Sequence, residues 1–120
     1  MSISNYAENA LLDAVGGTAF SVTNAYLQLH TGDGGEDGTA NVAGESTRQA
    51  VSFNSASGGS MSASAAVSWT NVSTSETLTH WTLWDASTSG NCIWTGAFNT
   101  SSTVAAGDTF TITTLTLTLD

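Results

Sequence analysis

Phe110-Thr-Ile-Thr-Thr-Leu-Thr-Leu-Thr-Leu119 alternates apolar and hydroxyl side chains, but its apolar positions change parity midway, from even at Phe110 and Ile112 to odd at Leu115, Leu117 and Leu119. Strand side chains point to opposite faces with a period of two, so one straight strand would turn one of these sets into water. The switch predicts a bulge near Thr113-Thr114, or a bend where the chain leaves one sheet for another, as at the corners of sandwiches and barrels. Ala106-Gly-Asp108 supplies the turn before it.

The same period of two runs back through the chain. Ala25, Leu27 and Leu29 alternate with Tyr26, Gln28 and His30. Further strands are expected at residues 48–53, with Val51 and Phe53 inward, and at 64–69, with Ala65, Val67 and Trp69 together. In residues 78–85, Trp81 and Leu83 share one face and His80, Thr82 and Trp84 the other. A Trp on each face suits a central strand or one facing a partner subunit. Residues 91–98 place Cys92, Trp94 and Phe98 on one side and Ile93 on the other, with Gly96 marking a close approach or a bulge. Gly32-Asp-Gly-Gly-Glu-Asp-Gly38 reads as a flexible acidic loop with nothing to pack.

Only residues 4–15 carry a helical pattern. Ser2 or Ser4 can cap it, Glu8 sits near its positive end, and Gly16-Gly17 stop it. Ile3, Tyr6, Ala10, Leu11 and Val15 form its apolar face. So short a helix must dock on the sheet or on a neighbouring subunit. One all-β domain over 1–120 follows, an antiparallel β-sandwich or jelly-roll-like fold over about 24–120 with a short N-terminal helix. Proline and lysine are both absent, which removes two common protectors of exposed strand edges and predicts cover by a neighbouring subunit.

Charge narrows the function. Ten acidic residues against Arg48 alone give a net charge of −9, which opposes nucleic acid and anionic membranes alike. No apolar run approaches the roughly 20 residues of a membrane helix. No basic segment followed by an apolar run opens the sequence, so no signal peptide is expected. Asn71-Val-Ser73 and Asn99-Thr-Ser101 match a glycosylation pattern but read as chance in a Ser/Thr-rich chain. Cys92, the single cysteine, has no disulfide partner in its own chain and sits among apolar neighbours as an inert thiol.

Catalytic patterns are missing: no nucleophile elbow, no zinc-binding His pair at helical spacing, no phosphate-binding loop. His30 and His80 are the only histidines, and nearby hydroxyls carry little meaning where Ser and Thr are so common. Glu76 and Asp85 offer a carboxylate pair with nothing to fix their separation. Asp33, Glu36 and Asp37 are the one cluster with calcium-like chemistry, yet they lack EF-hand spacing and are too few, so no metal or cofactor is expected. Tyr26, Trp84 and Trp94 are candidates for a carbohydrate platform, against the plainer reading of core packing or an oligomer seam.

Ser4-Asn-Tyr-Ala-Glu-Asn-Ala-Leu-Leu-Asp13, Ala25-Tyr-Leu-Gln-Leu-His-Thr31 and Arg48-Gln-Ala-Val-Ser-Phe53 follow one another in the first half. Thr79-His-Trp-Thr-Leu-Trp-Asp-Ala86, Gly90-Asn-Cys-Ile-Trp-Thr-Gly-Ala97 and Ala106-Gly-Asp-Thr-Phe110 continue the series. In this order they resemble a family of small tailed-bacteriophage virion proteins, often labelled tail fibre proteins, with some related in appearance to capsid cement or decoration proteins. The resemblance implies a non-enzymatic structural part of the particle. A compact domain with no collagen-like or coiled-coil shaft favours the cement reading. It would then lie on the capsid exterior, bound to the major capsid protein and self-associated, as a trimer around a lattice three-fold axis. The alternative is a tail or tail-fibre component, an adaptor or receptor-binding module partnered by tail proteins or a host surface glycan. On either reading Ile3, Tyr6 and Leu11 are interface candidates, the rival being that they close the domain's own core.

Overall fold

A computed structural model describes residues 2–119. In chain order the elements are β1 (Ser2–Ile3), α1 (Asn5–Val15), β2 (Ala25–His30), β3 (Gln49–Val51), β4 (Ser60–Ser62), β5 (Val67–Trp69), β6 (Glu76–Trp84), β7 (Cys92–Val104), β8 (Phe110–Ile112) and β9 (Thr116–Thr118). A five-stranded sheet in the order β1-β7-β6-β2-β3 is antiparallel throughout. Two short antiparallel pairs, β4-β9 and β5-β8, complete the strands. One apolar core holds them together, with Leu27, Leu29, Trp81, Leu83 and Trp94 from the large sheet against Val67, Trp69, Phe110, Ile112, Leu115 and Leu117 from the pairs.

The parity switch in the last segment is where the two pairs part. Phe110 and Ile112 face the core from β8, and after the break Leu115 and Leu117 do so from the β9 stretch, so both sets are buried. Ala63 donates its N–H to the Leu115 carbonyl at 2.8 Å across the break. The chain therefore turns from β5 to β4 without exposing either set. The pairs stay separate rather than forming the second four-stranded sheet of a jelly roll.

Two register shifts revise the expected faces of β7. Leu83 pairs with Trp94 but Trp84 pairs with Cys92, which leaves Ile93 as an extra residue. Cys92 is thereby turned to the outer face of the sheet, away from Trp94 in the core. The second shift, between Leu78 and His80, lets Leu78 reach the core although it lies on the opposite parity from Trp81. Gly96 is a close approach: it pairs with Trp81, and a Cβ there would lie 2.3 Å from the indole.

The acidic glycine loop is packed, contrary to the sequence expectation. Gly34 and Gly38 are buried against the outer face of β2 and β6, where a side chain at Gly38 would meet the Cys92 sulfur at 2.7 Å and one at Gly34 the Thr82 methyl at 2.9 Å. Covered by the core on one face and by this loop on the other, β2 and β6 bury Gln28, His30, Thr82 and Trp84 as well as their core residues. Expected strands at 48–53 and 64–69 shorten to Gln49–Val51 and Val67–Trp69, with Ala65 exposed.

α1 lies against β7. Ser4 caps it, accepting from the Ala7 N–H at 3.2 Å while its hydroxyl donates to the Cys92 carbonyl. Ala7 is the one buried residue of the helix, with Ile3 and Leu11 half-buried beside it. Steps of four residues drift about 40° each around a helix of 3.6 residues per turn. By Val15, expected on the inner face, the side chain has rotated out and is 89% exposed.

Candidate interaction surface

The titratable groups decide what chemistry the surface can offer. His30 is fully buried. Its Nε2 lies 2.7 Å from the Thr82 hydroxyl, which also accepts the Trp84 indole N–H at 2.7 Å, and its Nδ1 lies 2.8 Å from the Ala40 carbonyl. With Trp84 donating, the arrangement is satisfied when Thr82 donates to Nε2 and Nδ1–H donates to Ala40. That is the neutral imidazole, and burial accordingly holds its pKa below the ordinary 6.5. His80 faces His30 across the strands and contacts the Thr79 hydroxyl at 2.7 Å.

Most carboxylates are occupied by the backbone. Asp33 accepts from Gly35 N–H, Asp37 from Thr39 N–H and hydroxyl, Glu45 from Ser73 N–H, Glu76 from the Gly44 and Glu45 N–H groups, Asp85 from Asn91 and Asp108 from Ala105. These are turn and loop fastenings. The Thr39 contacts hold the Asp37 carboxyl below its usual range. Among the described residues no three His, Cys, Asp or Glu side chains converge on a metal position. Glu76 opens β6 and Asp85 follows its end, so about 25–30 Å of strand separates them, well beyond the roughly 5–10 Å of glycosidase pairs.

Aromatic candidates divide by exposure. Trp94 is 6% exposed and belongs to the core; Trp84 is also 6% exposed, with the Arg48 guanidinium 3.8 Å above its ring. Arg48 in turn donates to the carbonyls of Ala86 and Ser89, clamping that turn over the indole. Neither ring has an open face for a sugar. Tyr26, half-buried, is the cross-strand neighbour of Trp84. Tyr6 is 43% exposed, set edge-on to Phe20 at 6.3 Å, beside a cleft of mixed polarity, about 520 Å3, that Asn5, Glu36 and Asn91 also line. Cys92, at the floor of that cleft, is 4% exposed with burial pushing its thiol up to about 11, an unreactive state.

A second opening is apolar. Between α1 and the β4-β9 pair runs a groove of about 340 Å3, bounded by Ile3 and Leu11 on the helical side and by Met61, Leu117 and Leu119 on the strand side, over Trp94 and Ile93. It continues into a second hollow of about 270 Å3 past Ala56 and Gly59. The indole N–H of Trp94 is buried and has no acceptor among the described residues. The groove is a gap between elements distant in the chain, so no local pattern reports it; of the residues around it, Ile3, Leu11 and Trp94 are the interface candidates that the sequence offers.

The fold and its openings define a small antiparallel β module whose accessible features are surfaces: one helix, one apolar groove and a long uncharged run from Gln49 to Ser75. Residues 2–120 match the Gp80 family, described as podophage GP4 fiber I protein gp80, and the chain belongs to that family. It is thus a structural protein of the tailed-phage virion. A comparison with curated proteins gives no match.

Proposed function

We propose that this chain is a non-enzymatic component of the phage tail fibre apparatus, a compact module that holds neighbouring virion proteins through its uncharged surfaces. The family match over residues 2–120 carries this reading and favours fibre over capsid cement, the role that compactness alone suggests. The distribution of charge supports it. No charged residue lies between Arg48 and Glu76, between Asp85 and Asp108, or between Asp108 and Asp120, stretches that include β4, β5, β7, β8 and β9. Depletion of charge is what distinguishes the centre of a protein interface from open surface. A neutral His30 with both ring nitrogens engaged, and the wide separation of Glu76 and Asp85, support the non-enzymatic reading.

A reconstruction of the intact particle, with the chain located and its copies counted, tests the proposal. Density at the tail in a number set by tail symmetry is expected. Hundreds of copies at capsomer boundaries would overturn the fibre reading and restore the cement one.

A further inference from the structure

We infer that the apolar groove beside α1 seats the C-terminal end of α1 from a second copy of this chain, so that copies join head to tail. Among the described residues no charged side chain lines the groove, which is walled by Ile3, Leu11, Met61, Leu117 and Leu119 over Trp94.

The last turns of α1 carry the complementary features. Leu12 and Val15 are 69% and 89% exposed, a protruding apolar pair one helical turn apart. The helix end bearing Leu12 and Val15 therefore offers an apolar plug to an apolar groove.

The plug cannot enter its own groove. Ala7 and Leu11 of the same helix form the groove wall, and Leu12 and Val15 lie around the helix from them. It must come from another molecule. In a chain of net charge −9 two copies repel at long range, so a neutral groove receiving two apolar side chains is where they can meet. Because groove and plug are different patches, each copy uses both, and the contact is heterologous: it closes a ring or grows a filament. This inference stands apart from the fibre reading, since self-association is measured on the isolated protein.

Sedimentation of the full chain across a concentration series tests it, with Leu12→Ser/Val15→Ser as the partner-deficient variant. Both side chains lie in solvent, so the variant keeps the wild-type circular dichroism and melting temperature. Wild type is expected to self-associate, and the variant to do so at least about tenfold more weakly. Val15→Cys and Leu119→Cys, each adding one accessible thiol to the buried Cys92, then fix the geometry. Mixed and mildly oxidised, they are expected to give the Val15→Cys/Leu119→Cys cross-link. A wild type that stays monomeric throughout, an unaffected double-serine variant, or cross-linking of Val15→Cys only to itself would each overturn the inference.

Discussion

His30 shows how a polar residue is carried in this fold: each ring nitrogen is engaged, one by the Thr82 hydroxyl and one by the Ala40 carbonyl, and the Trp84 indole completes the chain of bonds. Protonation would put a second hydrogen between Nε2 and Thr82, which already accepts from Trp84. The pKa is lowered in the folded state, chiefly by desolvation; the Ala40 and Asn41 carbonyls oppose this, His80 adds to it and Asp33 opposes it. The unfolded chain then binds more protons than the folded one below the ordinary value of 6.5, so stability is full above that pH and falls as pH drops through it. A lower urea midpoint at pH 5 than at pH 7.5 is expected, and His30→Gln should flatten the difference while costing about 1–3 kcal/mol at neutral pH. An equal pH slope in the variant would mean that other groups set it. Alternation sets His30 with Tyr26 and Gln28 on one face of its strand, and Thr82 and Trp84 with His80 on one face of theirs. It could not report that they touch, because two strands had first to be placed in register and a loop laid over them.

That loop is the element whose role was least visible. Glycines and acids in succession signal a turn-rich connection, and that much is so. What the composition hides is that Gly34 and Gly38 are chosen for closeness, as Ala there would press on Thr82 and Cys92. Gly38 also has φ +72, a conformation costly for other residues. Gly38→Ala should therefore cost about 2–4 kcal/mol, from backbone strain plus overpacking. Gly58→Ala is the control, since Gly58 has φ +60 but open space around its missing Cβ; it should cost only about 1 kcal/mol. Thermal melts of the two variants decide, and equal losses would show that the loop yields without strain. The bend in the last segment was legible by contrast, because burying Phe110, Ile112, Leu115 and Leu117 together leaves a straight strand no solution. The extra residue at Ile93 was not: Cys92, Ile93 and Trp94 are all apolar, so no pattern says which of them is out of step.

At the scale of the molecule, the separate pairs β4-β9 and β5-β8 raise the question of whether the fold melts in pieces. Neither pair can be stable alone, since isolated two-stranded ribbons are marginal in water. Each buries its apolar residues only against the large sheet, and one continuous core joins them. The chain termini tighten this coupling: β1 at one end pairs with β7, while β9 at the other pairs with β4 and shares the groove over Trp94 with α1. Removing either pair would uncover Trp69 or Trp94, so partial unfolding gains little chain entropy and forfeits much of the core. A single cooperative transition is expected, with near-ultraviolet dichroism, which follows aromatic packing, coinciding with far-ultraviolet dichroism, which follows the strands. With pairings that join the first residues to the nineties and the sixties to the last segment, refolding should fall in the millisecond-to-second range of non-local β proteins. If the two probes separated, with strand signal outlasting aromatic signal, the five-stranded sheet would be the autonomous unit and the two pairs a layer added to it.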